Sequence, residues 1–513
     1  MEEKQIALRQ IAKGGGIIFV GYVLLGGFDF LYKVIVARYL SPQDYGVLSL
    51  GLVILGVSVT VSRLGFSQAF KKYIPEYRTM KLPGKIKSLI IFGLGLSFLI
   101  SLVVAFSIYL FSGKISIFFS NDSLSSVLKI FSFVIPFYTV LYLLLDIFLS
   151  FKRAKERVLV DVLGRGVLIF VLTLLVIFLG GKLKEVCYIY LFSYIISVFI
   201  SFFVLETRIF SIFKNELSKI DHKRILSFSI PLLLVGFLGT VLRWSDTFFI
   251  GYFKEEYYVG LYNAAYPLAF ILLLVIQSFN SLFYPVASEL YTKRDFKNLR
   301  EIYGTVTRWI FLLTFPLFLL LIFFPKEFIS TLFGAKYVVA YKVLIILSFG
   351  TFTNAFFGAV GILLQVFEKQ NFIFRVQFSI AFLNIAMNII LIPLYGIEGA
   401  AFATSFSMIL WNVIFFLKIR KILSAQFFLR NYLKYAVSAF FSLFVFFSLD
   451  HFISISVYTL FFKLIFYAIS YTAFILLTNS LMREDLDILI MFGRRSGLNL
   501  MFLEKILRRF LHD

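Results

Sequence analysis

The chain consists mostly of apolar runs of about 20 residues or more, the length a helix needs to cross a bilayer core. Hydrocarbon offers no hydrogen-bond partners, so each run must satisfy its own backbone groups, and an α-helix does so. The runs fall at 14–36, 47–70, 88–112, 127–150, 158–180, 186–205, 225–250, 259–290, 305–325, 337–366, 372–394, 397–418, 434–450 and 457–480. An all-α integral membrane protein of about 14 transmembrane helices follows. No segment between the runs is long enough for a soluble domain. Composition agrees: 60% of the 513 residues are hydrophobic, and 15% are charged against about 25% in soluble domains.

The formal net charge is +22. In a soluble protein that would point to nucleic acid. Here basic loops that fix topology and meet anionic lipid heads explain it better, so anionic lipid and no nucleic acid is the expected partner. Most of the Lys and Arg lie at the N-terminus, in every second loop and in the tail, for example Lys71, Lys72, Arg78, Lys81, Lys85 and Lys87, then Lys152, Arg153, Lys155 and Arg157. With an even number of spans all these segments share one side. Positive charge marks the cytoplasmic side, which places both termini on the cytoplasmic side of the plasma membrane. The polar start leads into a full-length span, so no cleavable signal peptide is expected.

The outer loops are short, which weighs against an integral-membrane glycosyl-transfer enzyme and for a transporter, not an enzyme. His222, His451 and His512 are far apart and Cys187 stands alone in an apolar run, so no metal site or cofactor is expected. Asp485-Leu-Asp487 reads as a solvated helix face. Asn121-Asp122-Ser123 matches a glycosylation triplet common by chance. Residues 498–511 carry apolar residues at helical spacing between Lys505, Arg508 and Arg509, as a helix lying on the inner leaflet would.

A repeat at an offset near 214–216 aligns Tyr45-Gly46-Val47-Leu48 with Val259-Gly260-Leu261-Tyr262. Six helices per unit preserve orientation, so the halves form a parallel pseudo-repeat with substrate between them near the midplane. This divides the chain into an N-terminal lobe at 1–224, a C-terminal lobe at 225–430, two added helices at 431–480 and a basic amphipathic cytoplasmic tail at 481–513.

Three segments resemble the polysaccharide, or lipid-linked oligosaccharide, flippases of the MATE-like transporter superfamily. They are Ala37–Gly46 at the turn into helix 2, Val259–Leu268 at the start of helix 8, and Ile392–Ala401 at the turn between helices 11 and 12. The resemblance implies two six-helix lobes around a central cavity and alternating access. It implies movement of a polyprenyl-(pyro)phosphate oligosaccharide from the inner to the outer leaflet for glycan export, alongside glycan-assembly enzymes. It also implies a lipid-tail groove on the last two helices. The alternative is a MATE-type exporter of cationic drugs coupled to H⁺ or Na⁺, a class with twelve helices and an acidic cavity.

Eight charges lie deep in the spans: Asp29, Lys33, Arg63, Asp146, Asp161, Arg165, Arg243 and Asp246. Facing lipid, they would together cost roughly 20 kcal/mol on the lenient insertion scale, so they must face protein or water. Arg63, Arg165, Arg243 and Lys33 are the candidates for phosphate binding, since a guanidinium fork binds phosphate oxygens bidentately. Arg63 leads because no acid lies within a turn of it. Asp29, Asp146, Asp161 and Asp246 are candidates for gating or for coupling to H⁺ or Na⁺. Asp29 and Arg243 align in the repeat and are expected to face one another as an outer latch. The competing reading is neutralisation on one helix face, through Asp29/Lys33 and Asp161/Arg165 at i,i+4 and Arg243/Asp246 at i,i+3. Trp244, Tyr262, Asn263, Asn280, Asn384 and Asn388 are candidate sugar contacts, with helix–helix hydrogen bonding as the alternative.

Overall fold

A computed structural model describes residues 21–478 apart from 22, 215, 424–428 and 453–456. The amphipathic 498–511 segment and Asp485-Leu-Asp487 lie outside the described residues. Within them the chain is helical throughout, with no strand. The helices are α1 (23–39), α2 (Pro42–Ser62), α3 (Phe66–Thr79), α4 (Pro83–Phe118), α5 (Asp122–Ser150), α6 (Ala154–Val160), α7 (Leu168–Phe178), α8 (Leu183–Val204), α9 (His222–Phe253) and α10 (Glu256–Thr292). There follow α11 (Phe296–Phe323), α12 (Pro325–Leu332), α13 (Tyr341–Phe357), α14 (Val360–Val366), α15 (Gln370–Leu423), α16 (Leu429–Phe452) and α17 (Val457–Leu477).

Among the described residues twelve helices are long and apolar enough to cross a membrane, against about 14 expected. Two features bear on the difference. The 54-residue α15 is two helices run together across Gly396, whose backbone is non-helical at φ 60° and ψ −137°. The first span is described only from residue 21 and is not among the twelve. The expected single spans at 47–70 and 337–366 are each broken, the first at Leu64-Gly65 and the second at Gly358.

The described residues form two compact units, those within 1–267 with 374–407, and those within 268–373 with 408–513. In the first, α5 packs against α2, α3, α4 and α8. Small residues make that closeness feasible. Helix α4 buries Gly93, Ser97, Ser101 and Ala105 on one face and exposes Leu99, Val103, Phe106 and Leu110 on the other, the pattern of a helix with protein on one side and lipid on the other. On α8, Ser197 and Ser201 turn their hydroxyls onto the carbonyls of Ser193 and Ser197. Cys187 is buried on the same helix, as packing requires. Asn121 is also buried, and its side chain accepts from the Leu124 amide to cap α5.

The second unit has an aromatic centre. Tyr432 stacks on Phe311 at 4.3 Å, with Phe315, Phe352 and Phe356 around them. Pro316 inside α11 has no N–H, so the Leu312 carbonyl one turn back loses its helical donor. The Tyr471 hydroxyl of α17 donates to that carbonyl at 2.9 Å, and Tyr467 donates to the Pro316 carbonyl at 3.1 Å. The C-terminal pair α16–α17 is thereby fastened to α11.

Candidate functional site

The deep charges sort into three groups, all within the first unit. Arg63 caps α2, with its N–H on the Val59 carbonyl at 3.1 Å. The single apolar run 47–70 predicts a continuous helix through Arg63, but the helix ends there. Leu64 and Gly65 follow with φ of 48° and 75°, and α3 begins at Phe66. Gly65 is required twice over, because a Cβ there would also strike the Ser229 carbonyl of α9. A cation at the C-terminal end of a helix is favourable in its own right. Yet the Arg63 guanidinium forms no ion pair among the described residues, and its Nε is buried without a hydrogen-bond partner. It lies over the Tyr142 ring at 5.0 Å.

Arg165 lies 5.7 Å from the same ring and reaches the Tyr142 hydroxyl at 3.5 Å. Its Nε donates to Asp161 at 2.9 Å, as the i,i+4 spacing predicted. Both residues sit in a π-helical turn, Asp161–Val167, that separates α6 from α7, and such turns are frequent at functional sites. Tyr138 and Tyr194 stack at 4.2 Å beside Tyr142. The result is two guanidiniums around one tyrosine with a single carboxylate between them. Asp29 pairs with Lys33 at 2.8 Å, again at i,i+4, and 59% of the Asp29 side chain is exposed. It lies in electrostatic range of both Arg165 and Arg243. The ion pair it makes in this state is with Lys33, not with Arg243.

Asp146 belongs elsewhere. It pairs with Lys71 of α3 at 3.0 Å, and 10% of its side chain is exposed. Lys71 had been grouped with the solvated loop cations. Nothing in one-dimensional spacing links positions 71 and 146. Asp146→Asn is expected to cost about 1 kcal/mol, because Lys71 loses its partner but, at 38% exposed, keeps contact with water. The charge exchange Lys71→Asp with Asp146→Lys should recover part of that loss in thermal unfolding of the purified protein.

The third group is centred on Asp246, which is 4% exposed. The i,i+3 pair with Arg243 does not form; Arg243 makes no ion pair among the described residues. Instead Asp246 accepts from the Thr404 hydroxyl at 2.6 Å, from Asn388 Nδ2 at 2.8 Å and from the Tyr262 hydroxyl. Ser245 donates to Asn384 at 2.9 Å, and Asn384 Nδ2 donates to Thr404 at 3.2 Å. Thus α9, α10 and both halves of α15 converge on one carboxylate held only by neutral donors. Three candidate sugar contacts, Tyr262, Asn384 and Asn388, are engaged in this network. Asn263 donates to Thr247 at 3.2 Å and to the Val259 carbonyl at 3.0 Å. The Trp244 indole packs against Gly56 of α2. Asn280 lies in the second unit, its Oδ1 buried without a partner. Ser245, Thr404 and Lys71 were not singled out in the sequence; hydroxyls are common in membrane helices and carry no spacing signal.

The two repeat motifs meet directly. A Cβ on Gly46 would collide with the Glu256 carbonyl, and one on Gly260 would collide with the Pro42 carbonyl. The contact is reciprocal: a Cβ on either glycine would also crowd the backbone nitrogen of the other.

Comparison with known proteins gives three kinds of match. The model of the family described as "Polysaccharide biosynthesis protein" matches residues 11–291, and the MatE model matches 231–390. The chain is 26% identical over 449 residues to an uncharacterised membrane protein of Methanocaldococcus jannaschii, covering 84% of this chain and 88% of that one. It is 28% identical over 195 residues to a probable low-salt glycan biosynthesis flippase of Haloferax volcanii, covering 38% of this chain and 40% of the relative. Among solved structures, the lipid II flippase MurJ in an inward closed conformation aligns with a TM-score of 0.69 and 18% identity. That alignment covers 89% of this chain and 97% of MurJ.

Proposed function

Because this chain belongs to the polysaccharide biosynthesis protein family, we propose that it is a transporter that flips a polyprenyl-(pyro)phosphate-linked oligosaccharide from the inner to the outer leaflet by alternating access. The relative in Haloferax volcanii is itself a probable glycan biosynthesis flippase, which supports the substrate class. The observation that carries the reading is the Arg63–Tyr142–Arg165 cluster. A guanidinium without an acid partner inside a membrane protein is costly unless an anion visits it. A (pyro)phosphate supplies that anion, with the Tyr142 ring holding both forks in place. Lys33 and Arg243 extend the positive path past Asp29. In this reading each lobe of six helices moves as a unit, the basic loops and both termini face the cytoplasm, and the membrane is the cell membrane. The membrane potential then favours outward movement of the anion by about 2.3 kcal/mol per charge per 100 mV. Asp246 is the coupling group, binding H⁺ or Na⁺ in a cluster whose neutral donors leave its charge uncompensated. Anionic lipids and glycan-assembly enzymes complete the set of partners.

The test is leaflet exchange of a fluorescent polyprenyl-pyrophosphate oligosaccharide in liposomes holding the purified protein. Exchange should depend on protein and fall at least tenfold with Arg63→Ala. Exchange unchanged in that variant would reduce Arg63 to a helix cap. The match of the MatE model to 231–390, together with the buried Asp246, favours a second reading as a cation-coupled drug exporter. Expulsion of a cationic dye along a proton gradient, with no lipid exchange, would establish that one instead.

A further inference from the structure

A cavity of about 290 Å³ opens at the basic end of the first unit, away from the groups described above. It lies where the C-terminal end of α3, the start of α4, the C-terminal end of α5 and residues 209–210 come together. Arg78, Lys81 and Arg153 line it, and no acidic side chain does. Two of the nearby acids are engaged elsewhere. Glu76 pairs with Arg224, and Glu206 folds back on Ser211 and on the amide of Ile212. Glu156 pairs with Arg153 at 3.4 Å, a long contact to a side chain that is half exposed. Arg78 is positioned, since its Nη1 donates to the Phe151 carbonyl at 3.3 Å and leaves its remaining N–H groups for a ligand. The opposite wall is apolar: Phe151 stacks on Phe210 at 5.5 Å, and Ile86 is buried behind them. Beside the cavity Met80 and Phe213 are 58% and 76% exposed, as side chains inserted among lipid would be.

Arg78 and Lys81 form no ion pair among the described residues and Arg153 makes only a 3.4 Å pair, so the cluster calls for an anion, and its spacing around a cavity favours phosphate oxygens. The aromatic wall and the exposed apolar flank call for hydrocarbon joined to that phosphate. We propose that this pocket binds the phosphate headgroup of an anionic lipid from the leaflet on the basic side, as a site separate from the Arg63–Tyr142–Arg165 cluster. The proposal does not rest on the flipping reading: lipid retention and leaflet exchange are separate measurements, and either can fail alone.

The test is native mass spectrometry of the full chain in detergent, titrated with dioleoyl phosphatidylglycerol, dioleoyl phosphatidylcholine or inorganic phosphate. Wild type should retain phosphatidylglycerol at least tenfold more tightly than phosphatidylcholine. Lys81→Gln with Arg153→Gln should weaken phosphatidylglycerol retention by about tenfold or more, since each basic group near the surface contributes on the order of fivefold. This pair leaves the Arg78–Phe151 bond intact, and a melting curve matching wild type would show that the fold is kept. Inorganic phosphate binding, lost in the same variant but without preferential retention of phosphatidylglycerol, would overturn the lipid assignment and leave a water-soluble phosphate compound as the ligand. Equal retention of the two lipids, or unchanged phosphatidylglycerol retention in the variant, would overturn the proposal.

Discussion

Gly46→Val is expected to abolish transport and to lower the melting temperature more than any single charge removal. The atom in the way is a backbone carbonyl, that of Glu256, and it cannot rotate aside as a side chain can. Accommodating even a methyl group forces α2 and the first turns of α10 apart. Overpacking of a well-packed contact typically costs about 1–3 kcal/mol, and a branched side chain against backbone belongs at the upper end. Gly260→Val should behave alike, because its Cβ would meet the Pro42 carbonyl. Gly95→Ala and Gly113→Ala are the controls: a Cβ at either meets nothing, so stability should hold or rise slightly. Thermal unfolding of the four purified variants, with leaflet exchange on those that fold, decides the matter. Wild-type melting in Gly46→Val would mean that the helices part at little cost and that the reciprocal contact does not hold them.

Asp246→Asn should remove the dependence of transport on Na⁺ or pH, with a fall of at least tenfold under the driving gradient, while the protein stays folded. The carboxylate receives Thr404, Asn388 and Tyr262, all as donors. An asparagine keeps one acceptor oxygen, and the two hydroxyls can turn to accept from its new amide. The expected stability loss is therefore about 1–3 kcal/mol. Asp246→Ala strands all three donors and should unfold more readily. Transport by the Asn variant measured across Na⁺ and pH series separates coupling from scaffold. If the variant keeps the full cation dependence of wild type, Asp246 is a structural acceptor and the coupling group lies elsewhere.

The reach of sequence reasoning followed the range of the interactions. Membrane helices were legible because hydrocarbon demands local satisfaction of every backbone group, which each apolar run provides alone. The Asp29–Lys33 and Asp161–Arg165 pairs were legible for the same reason, since helical spacing brings i and i+4 together without help from the fold. The break after Arg63 left a partial trace in Gly65, but a single glycine is as common in packed membrane helices as at breaks. Arg243 and Asp246 show the limit. Their i,i+3 spacing permitted a pair, yet three neutral donors from α10 and α15 surround Asp246 instead. Lys71 and Asp146 meet across 75 residues for the same reason. Burial of a carboxylate is governed by whatever donors neighbouring helices deliver, and those depend on helix rotation and kinking. The chain's order of residues dictated which segments span the membrane, whereas packing dictated which buried charge each side chain meets.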